Sequence, residues 1–351
     1  TCGTYKLELE KIGIFPAAGA LGGSIVKHLS SLIPASSLIL VARRPDTLAE
    51  YSRQGAVVRH ADYDEDASLN RAFDGVGVLF LISYASCEHE HRSRAHRKAI
   101  DAALHSGVKH IFYSSLAFAG NLSKSSDALV MRAHLDTEAY LQELGRTRAP
   151  DFTFTILREG LYHESFPIYT SFFRPQEVID VITDENTRRQ SGGGDHGEIQ
   201  IKIPHDGSAP GVAWANRDDL GEASAKIVKL YMQNPLGFPF TNSTLLLSGP
   251  KVLTLNEVVA VLEKLIRERT GRDISVKIKQ VSVEEYANQP HVPPLLTYHG
   301  VDLSREWATA WQAIRNGECA VVSPVLKEIL GREPEEFETT LRKDLTRKYG
   351  S

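Results

Sequence analysis

Residues 13–22 read Gly13-Ile14-Phe15-Pro16-Ala17-Ala18-Gly19-Ala20-Leu21-Gly22. An apolar strand, Lys11 to Phe15, runs into this stretch. An amphipathic helix leaves it over residues 22–32, with Ile25, Val26 and Leu29 on one face. A dinucleotide needs a tight strand-to-helix turn, close backbone approach to its pyrophosphate, and a helix N-terminus facing the negative charge. Gly19 and Gly22 fit the second and third glycines of such a loop, while Pro16 stands where the first is usual. The plain alternative is a strand–helix turn that binds nothing; position after the first strand and before an amphipathic helix favours the phosphate loop.

Outward from this loop, strand-length apolar runs alternate with helix-length amphipathic ones. Strands are expected at residues 37–42, 56–59, 77–83, 108–114 and 152–157, and helices at 66–73, 92–106 and 128–144. The 77–83 run (GVLFLIS) is apolar throughout, as in a strand buried on both faces of a parallel sheet. The alternation predicts an α/β fold: a Rossmann-type, doubly wound parallel sheet over residues 1–165. Beyond it the pattern changes. Residues 190–197 (QSGGGDHG) read as a mobile glycine-rich loop, short strands fall at 198–203, 244–248 and 275–280, and helices at 217–233 and 254–270. Residues 166–351 are expected to form a smaller α+β substrate lobe, with 205–235 packing back on the first domain.

In such sheets ligands sit beyond the C-terminal strand ends. The expected nucleotide-binding residues are therefore Pro16, Ala18, Gly19, Ala20, Leu21 and Gly22; Arg43 and Arg44; Asp62 and Tyr63; Ile82, Ser83 and Tyr84; Ser114; and Glu159, Gly160, Leu161 and Tyr162. The second strand ends Ala42-Arg43-Arg44-Pro45 with no carboxylate for the ribose hydroxyls. Two guanidiniums there suit a 2′-phosphate, so NADP(H) is the expected cofactor, against the alternative of a merely solvated turn.

The 351 residues carry a net charge of −4, with no basic footprint for nucleic acid. Their longest apolar run is too short to span a membrane. Lys6, Glu8, Glu10 and Lys11 break up any signal-peptide core, and the sequence starts at Thr1, so at least one residue is expected to precede it. Three scattered cysteines, Cys2, Cys87 and Cys319, argue against a disulfide framework and for a reducing, cytoplasmic setting.

The chain resembles the NmrA-like family, atypical relatives of the short-chain dehydrogenases. The residues that carry the resemblance are the loop Pro16 to Gly22, Ala42-Arg43-Arg44-Pro45, Ala61-Asp62-Tyr63, Gly107-Val108-Lys109 with Tyr113-Ser114-Ser115, His134 to Glu138, Thr155 to Tyr162, and Leu330-Gly331-Arg332-Glu333-Pro334. The resemblance implies NADP(H) binding and a cytosolic protein. It leaves activity open, because the family includes quinone-reductase-like enzymes, redox sensors and transcriptional co-regulators.

Short-chain dehydrogenases protonate a carbonyl with a Tyr whose pKa is lowered by a Lys four residues on. The sequence has no Tyr-x-x-x-Lys. The corresponding helix offers His134 and Glu138, where a carboxylate raises a neighbouring histidine's pKa. Candidate substrate-facing groups are Tyr84, Ser115, His134, Tyr162 and His163, with His134 and Tyr162 taken as catalytic. Phe166, Tyr169, Phe172 and Phe173 suggest a closable pocket. Glu88-His89-Glu90-His91 with His96 lacks metal-ligand spacing, so no metal is expected. Two functions remain. One is an oxidoreductase passing hydride to a small quinone-like or conjugated carbonyl substrate, with proton supply from water. The other is a non-catalytic NADP(H) sensor acting through a protein partner. A monomer or homodimer fits either.

Overall fold

In a computed structural model, which describes residues 10–184 and 197–347, strands β1 (Lys11–Phe15), β2 (Leu38–Ala42), β3 (Val57–His60), β4 (Val76–Ile82), β5 (His110–Leu116) and β6 (Thr153–Glu159) lie parallel in the order β3-β2-β1-β4-β5-β6. The chain reverses direction of travel across the sheet between β1 and β4, whose registers pair Ile14 with Phe80 and Phe15 with Leu81. That switch point opens a crevice at the C-terminal ends of both strands. The loop after β1 and the residues after β4 therefore face each other across it.

Helices Ala20–Ser30, His89–His105 and Arg132–Thr147 connect the strands as expected, with ends shifted by a few residues. Residues 66–73 differ more. Only the single 3-10 turn Asp66–Leu69 forms there. The Ser68 hydroxyl donates to Glu65 O (2.6 Å) and accepts from Asp62 N (2.8 Å), a local competition that turns the chain out of a helix.

Strand β7 (Glu198–Ile203) pairs in parallel with β9 (Ser275–Gln280), and β10 (Thr297–Tyr298) with β11 (Val301–Asp302) forms a short hairpin. The strand read at 244–248 has another destination. As β8 (Ser243–Leu247) it lies beside β6 and completes a seven-stranded parallel sheet. Helix Arg217–Gln233 returns with it and packs on Ala20–Ser30. A Cβ at Gly221 would lie 2.1 Å from Ser24 Oγ, so the two helices approach at a glycine. Asp218 then accepts from Ser24 Oγ (2.7 Å) and Lys27 Nζ (3.1 Å), fastening the loop helix in place. A separate core gathers Trp214, Tyr286 and Trp311 under the second half. Residues 190–196 of the glycine-rich segment and Cys2 lie outside the described residues; Cys87 and Cys319 are buried free thiols. Among the described residues no helix is long and apolar enough to cross a membrane.

Candidate active site

A cavity of about 670 Å³ occupies the crevice and runs toward the second half. Its first wall is the loop after β1. Helix Ala20–Ser30 begins at Gly19 with no side-chain cap and no acidic residue in its first turn, and Gly19, Ala20, Leu21 and Gly22 all line the cavity, so the orphan amides of a helix start are available to a ligand there. The two loop glycines differ in purpose. A Cβ at Gly22 would sit 2.1 Å from Pro16 O, whereas one at Gly19 meets nothing within 4 Å. Gly22 keeps the turn closed; Gly19 leaves room. Gly22→Ala is accordingly expected to lower stability by about 1–3 kcal/mol through overpacking. Gly19→Ala should unfold at the wild-type denaturant midpoint, and equal midpoints for both variants would refute the distinction.

Arg43 and Arg44 stand exposed at the end of β2, both lining the cavity, and Arg43 Nε lies 3.9 Å from Asp62 Oδ2. Tyr63 donates to Ile82 O (2.7 Å) and packs on Phe15, closing the floor between β1 and β4. Of the residues expected to bind a dinucleotide, all but Glu159 line this cavity.

Glu159 is wholly buried at the end of β6. Tyr162, which lines the cavity, places its hydroxyl 3.0 Å from Glu159 Oε2, and the Ser114 side chain also approaches this carboxyl. Burial pushes the Glu159 carboxyl up to about 8, so at neutral pH it carries a proton.

His134 also lines the cavity, in surroundings the sequence did not reveal. Its expected neighbour Glu138 turns away to a buried bidentate pair with Arg158 (2.9 and 2.7 Å) and accepts from Ser115 Oγ (2.6 Å). His134 instead has Arg92 Nη2 2.8 Å from Nε2 and Tyr113 Oη 3.1 Å from Nδ1. Burial, and then the Arg92 charge, hold its pKa well below the ordinary histidine value. The expected carboxylate-raised histidine is thus corrected to a neutral one with both ring nitrogens engaged. Arg92 itself is buried and lines the cavity. It donates to Tyr84 O (3.0 Å), Val130 O (2.9 Å) and His134, all neutral acceptors.

His163 is not in the cavity. It is buried with Nδ1 at 2.7 Å from Thr340 Oγ1 and Nε2 at 3.1 Å from Trp214 O, pinning the last helix to the second core. Of the four aromatics expected at a pocket, only Tyr169 lines it; Phe166 belongs to the second core, and Phe172 and Phe173 pack against that core. Ile168 and Trp307 complete the apolar end. Trp307 comes from a helix far along the chain, with no local signal. Arg92 had one: it shares the buried face of its helix with His96, Ala99 and Ala103 at helical spacing.

Residues 8–293 match the model of the NmrA-like family. The chain belongs to that family. It is 30% identical over 322 residues to the NmrA-like family domain-containing oxidoreductase flvB of Aspergillus flavus, covering 91% of this chain and 89% of the relative. The triphenylmethane reductase of Citrobacter sp., solved with NADP(H), is 26% identical with a TM-score of 0.66, covering 95% of this chain and 99% of that one. The NADPH-dependent quinone oxidoreductase QOR2 of Escherichia coli, solved with NADPH, superposes with a TM-score of 0.69 at 23% identity, over 97% of this chain and all of that one. This NmrA-like protein thus shares its fold with reductases crystallised with the phosphorylated nicotinamide cofactor.

Proposed function

We propose that the protein is an NADP(H)-dependent oxidoreductase that reduces a small quinone-like or conjugated carbonyl substrate without a Tyr-x-x-x-Lys pair. One observation carries the reading: a single cavity joins an uncapped helix N-terminus and an open Gly19 to a twin-arginine strand end and a tyrosine backed by a protonated acid. The cavity volume suits a ligand of this size, and flvB and the Citrobacter reductase support the chemistry.

The amides of Ala20 and Leu21 suit the pyrophosphate, with Gly19 giving it close approach. Arg43 and Arg44 suit the 2′-phosphate, and Asp62 and Tyr63 flank the adenine end. When bound, the reduced nicotinamide supplies a hydride, and the substrate is left with an added electron pair on oxygen. Buried Arg92, unpaired with any carboxylate in its hydrogen bonds and held by His134, gives that oxygen a positive field in a water-poor wall. His134 thereby acts as a positioning residue. With Glu159 protonated, its carboxyl donates across the same 3.0 Å contact, so Tyr162 passes its hydroxyl proton to the oxygen and draws one from Glu159; a proton entering from the cavity through Tyr162 restores Glu159 afterwards.

The test is NADPH oxidation against a panel of quinones, enals and aldehydes. Turnover with quinones or enals is expected. Micromolar NADP(H) binding with no turnover on any of them would overturn the enzyme reading in favour of a sensor. Arg43→Ala with Arg44→Ala should cut NADPH affinity by about 10–100-fold, the worth of one or two charge-assisted hydrogen bonds, and leave NADH affinity unchanged. An unaltered NADPH-to-NADH ratio would remove the phosphate clamp.

A further inference from the structure

At the rim of the cavity, three residues remote in sequence converge. Asp64 follows β3, His91 lies in the first turn of helix His89–His105, and His299 stands at the tip of the β10–β11 hairpin. Each offers one ligand atom, and those atoms lie within 4.8 Å of one another. His91 Nε2 is 2.8 Å and His299 Nε2 3.7 Å from Asp64 Oδ1. A tetrahedral ion with bonds of about 2.0–2.1 Å separates its ligand atoms by about 3.4 Å, which these two spacings bracket.

The supporting contacts are those a metal centre needs. His299 Nδ1 lies 2.6 Å from Glu88 Oε2. With its Nδ1 proton held there, Nε2, 3.7 Å from Asp64 Oδ1, would be free to bind an ion, the carboxylate–histidine arrangement that orients metal-binding imidazoles. Tyr84 donates to the other Asp64 oxygen (2.7 Å), and Ser86 Oγ donates to Glu88 (3.3 Å). The backbone adds a further sign. His299 and Gly300 both have positive φ, 47° and 80°, in a two-residue hairpin turn. That tight turn carries the His299 ring to the cluster.

We propose that Asp64, His91 and His299 form a binding site for one borderline divalent ion of the Zn²⁺ class, with an open fourth position. Two imidazoles and a carboxylate match that ion's preference for nitrogen and oxygen donors. Neither nucleotide binding nor the proposed proton path uses these three side chains. No metal was expected from Glu88-His89-Glu90-His91 with His96, and of that run only His91 enters the cluster, with Glu88 behind His299. His89 instead meets Asp136 (2.6 Å), and His96 is buried between Tyr84 N (2.8 Å) and Thr137 (2.9 Å). A bound ion would tie the hairpin of the second half to the strand ends of the first, next to the cavity-wall residues Tyr84 and Ser86.

The experiment titrates chelator-treated full-length protein with Zn²⁺ by calorimetry, and with Co²⁺ by visible ligand-field absorption. Expected are one ion per chain, a tetrahedral Co²⁺ spectrum and a raised Tm. His91→Gln and His299→Gln should each weaken binding at least tenfold. Glu88→Gln should weaken it about 10–100-fold, as loss of an orienting partner does. His89→Gln, outside the cluster, should bind like wild type. All variants should share the wild-type Tm in chelator, because the side chains changed are at least partly exposed. Absence of stoichiometric binding, or binding that survives His299→Gln undiminished, would overturn the proposal.

Discussion

Tyr162→Phe is expected to lower kcat for NADPH-dependent quinone reduction by about 10²–10⁴-fold, the usual worth of a positioned proton donor, while NADPH affinity stays within a factor of a few. The phenyl ring keeps the cavity wall and removes only the hydroxyl that meets Glu159 Oε2. The pH profile carries the second half of the test. Glu159 must hold a proton to recharge Tyr162, and its carboxyl is pushed up to about 8, so kcat should fall as pH rises through about 8. Glu159→Gln should abolish that limb. A Tyr162→Phe enzyme with near wild-type kcat would show that water delivers the proton directly.

The same group has a signature in stability. The unfolded chain releases the Glu159 proton near the ordinary value of 4.5, whereas the folded protein keeps it to about 8. Its stabilising contribution is therefore complete below about 4.5 and is lost as pH rises to about 8, at about 1.4 kcal/mol per pH unit for one proton. Glu159→Gln should flatten this slope in denaturant melts, a result independent of any catalytic role.

Arg158→Met should lower stability by about 3–5 kcal/mol, because it strands the Glu138 carboxylate in the core. Both partners are almost wholly buried, with side-chain exposures of 2% and 5%. The pair joins helix Arg132–Thr147 to β6, and so holds His134 and the Glu159–Tyr162 segment at one distance across the cavity. Replacing both partners with apolar residues, Arg158→Met with Glu138→Leu, should recover most of the loss in urea unfolding. If Arg158→Met unfolds at the wild-type urea midpoint, the pair does not anchor the helix.

Much of this was legible in one dimension. Strand and helix periods depend on neighbours a few residues away, so Lys11–Phe15, Val76–Ile82 and Arg217–Gln233 could be placed from apolar spacing alone. Strand alternation also fixed which loops lie at the C-terminal ends, which is why residues chosen from Pro16 to Tyr162 converge on one cavity. Partner choice was not legible, because it depends on which surfaces meet after folding. Ser243–Leu247 reads as a strand anywhere, and only the exposed edge of β6 decides that it completes the main sheet. Glu138 sits four residues from His134, yet the buried guanidinium of Arg158 claims it. His134 then falls to Arg92, which reverses the direction of its pKa shift.

By itself the sequence determined a doubly wound α/β chain with a two-glycine phosphate loop and two arginines at the second strand end, since each of these is written in consecutive residues. Only the tertiary structure decided which charges pair, which acid keeps its proton and which histidines meet a carboxylate. Those outcomes turn on burial and on distances of 2.6–3.7 Å between residues as far apart as Asp64 and His299, which no local pattern encodes.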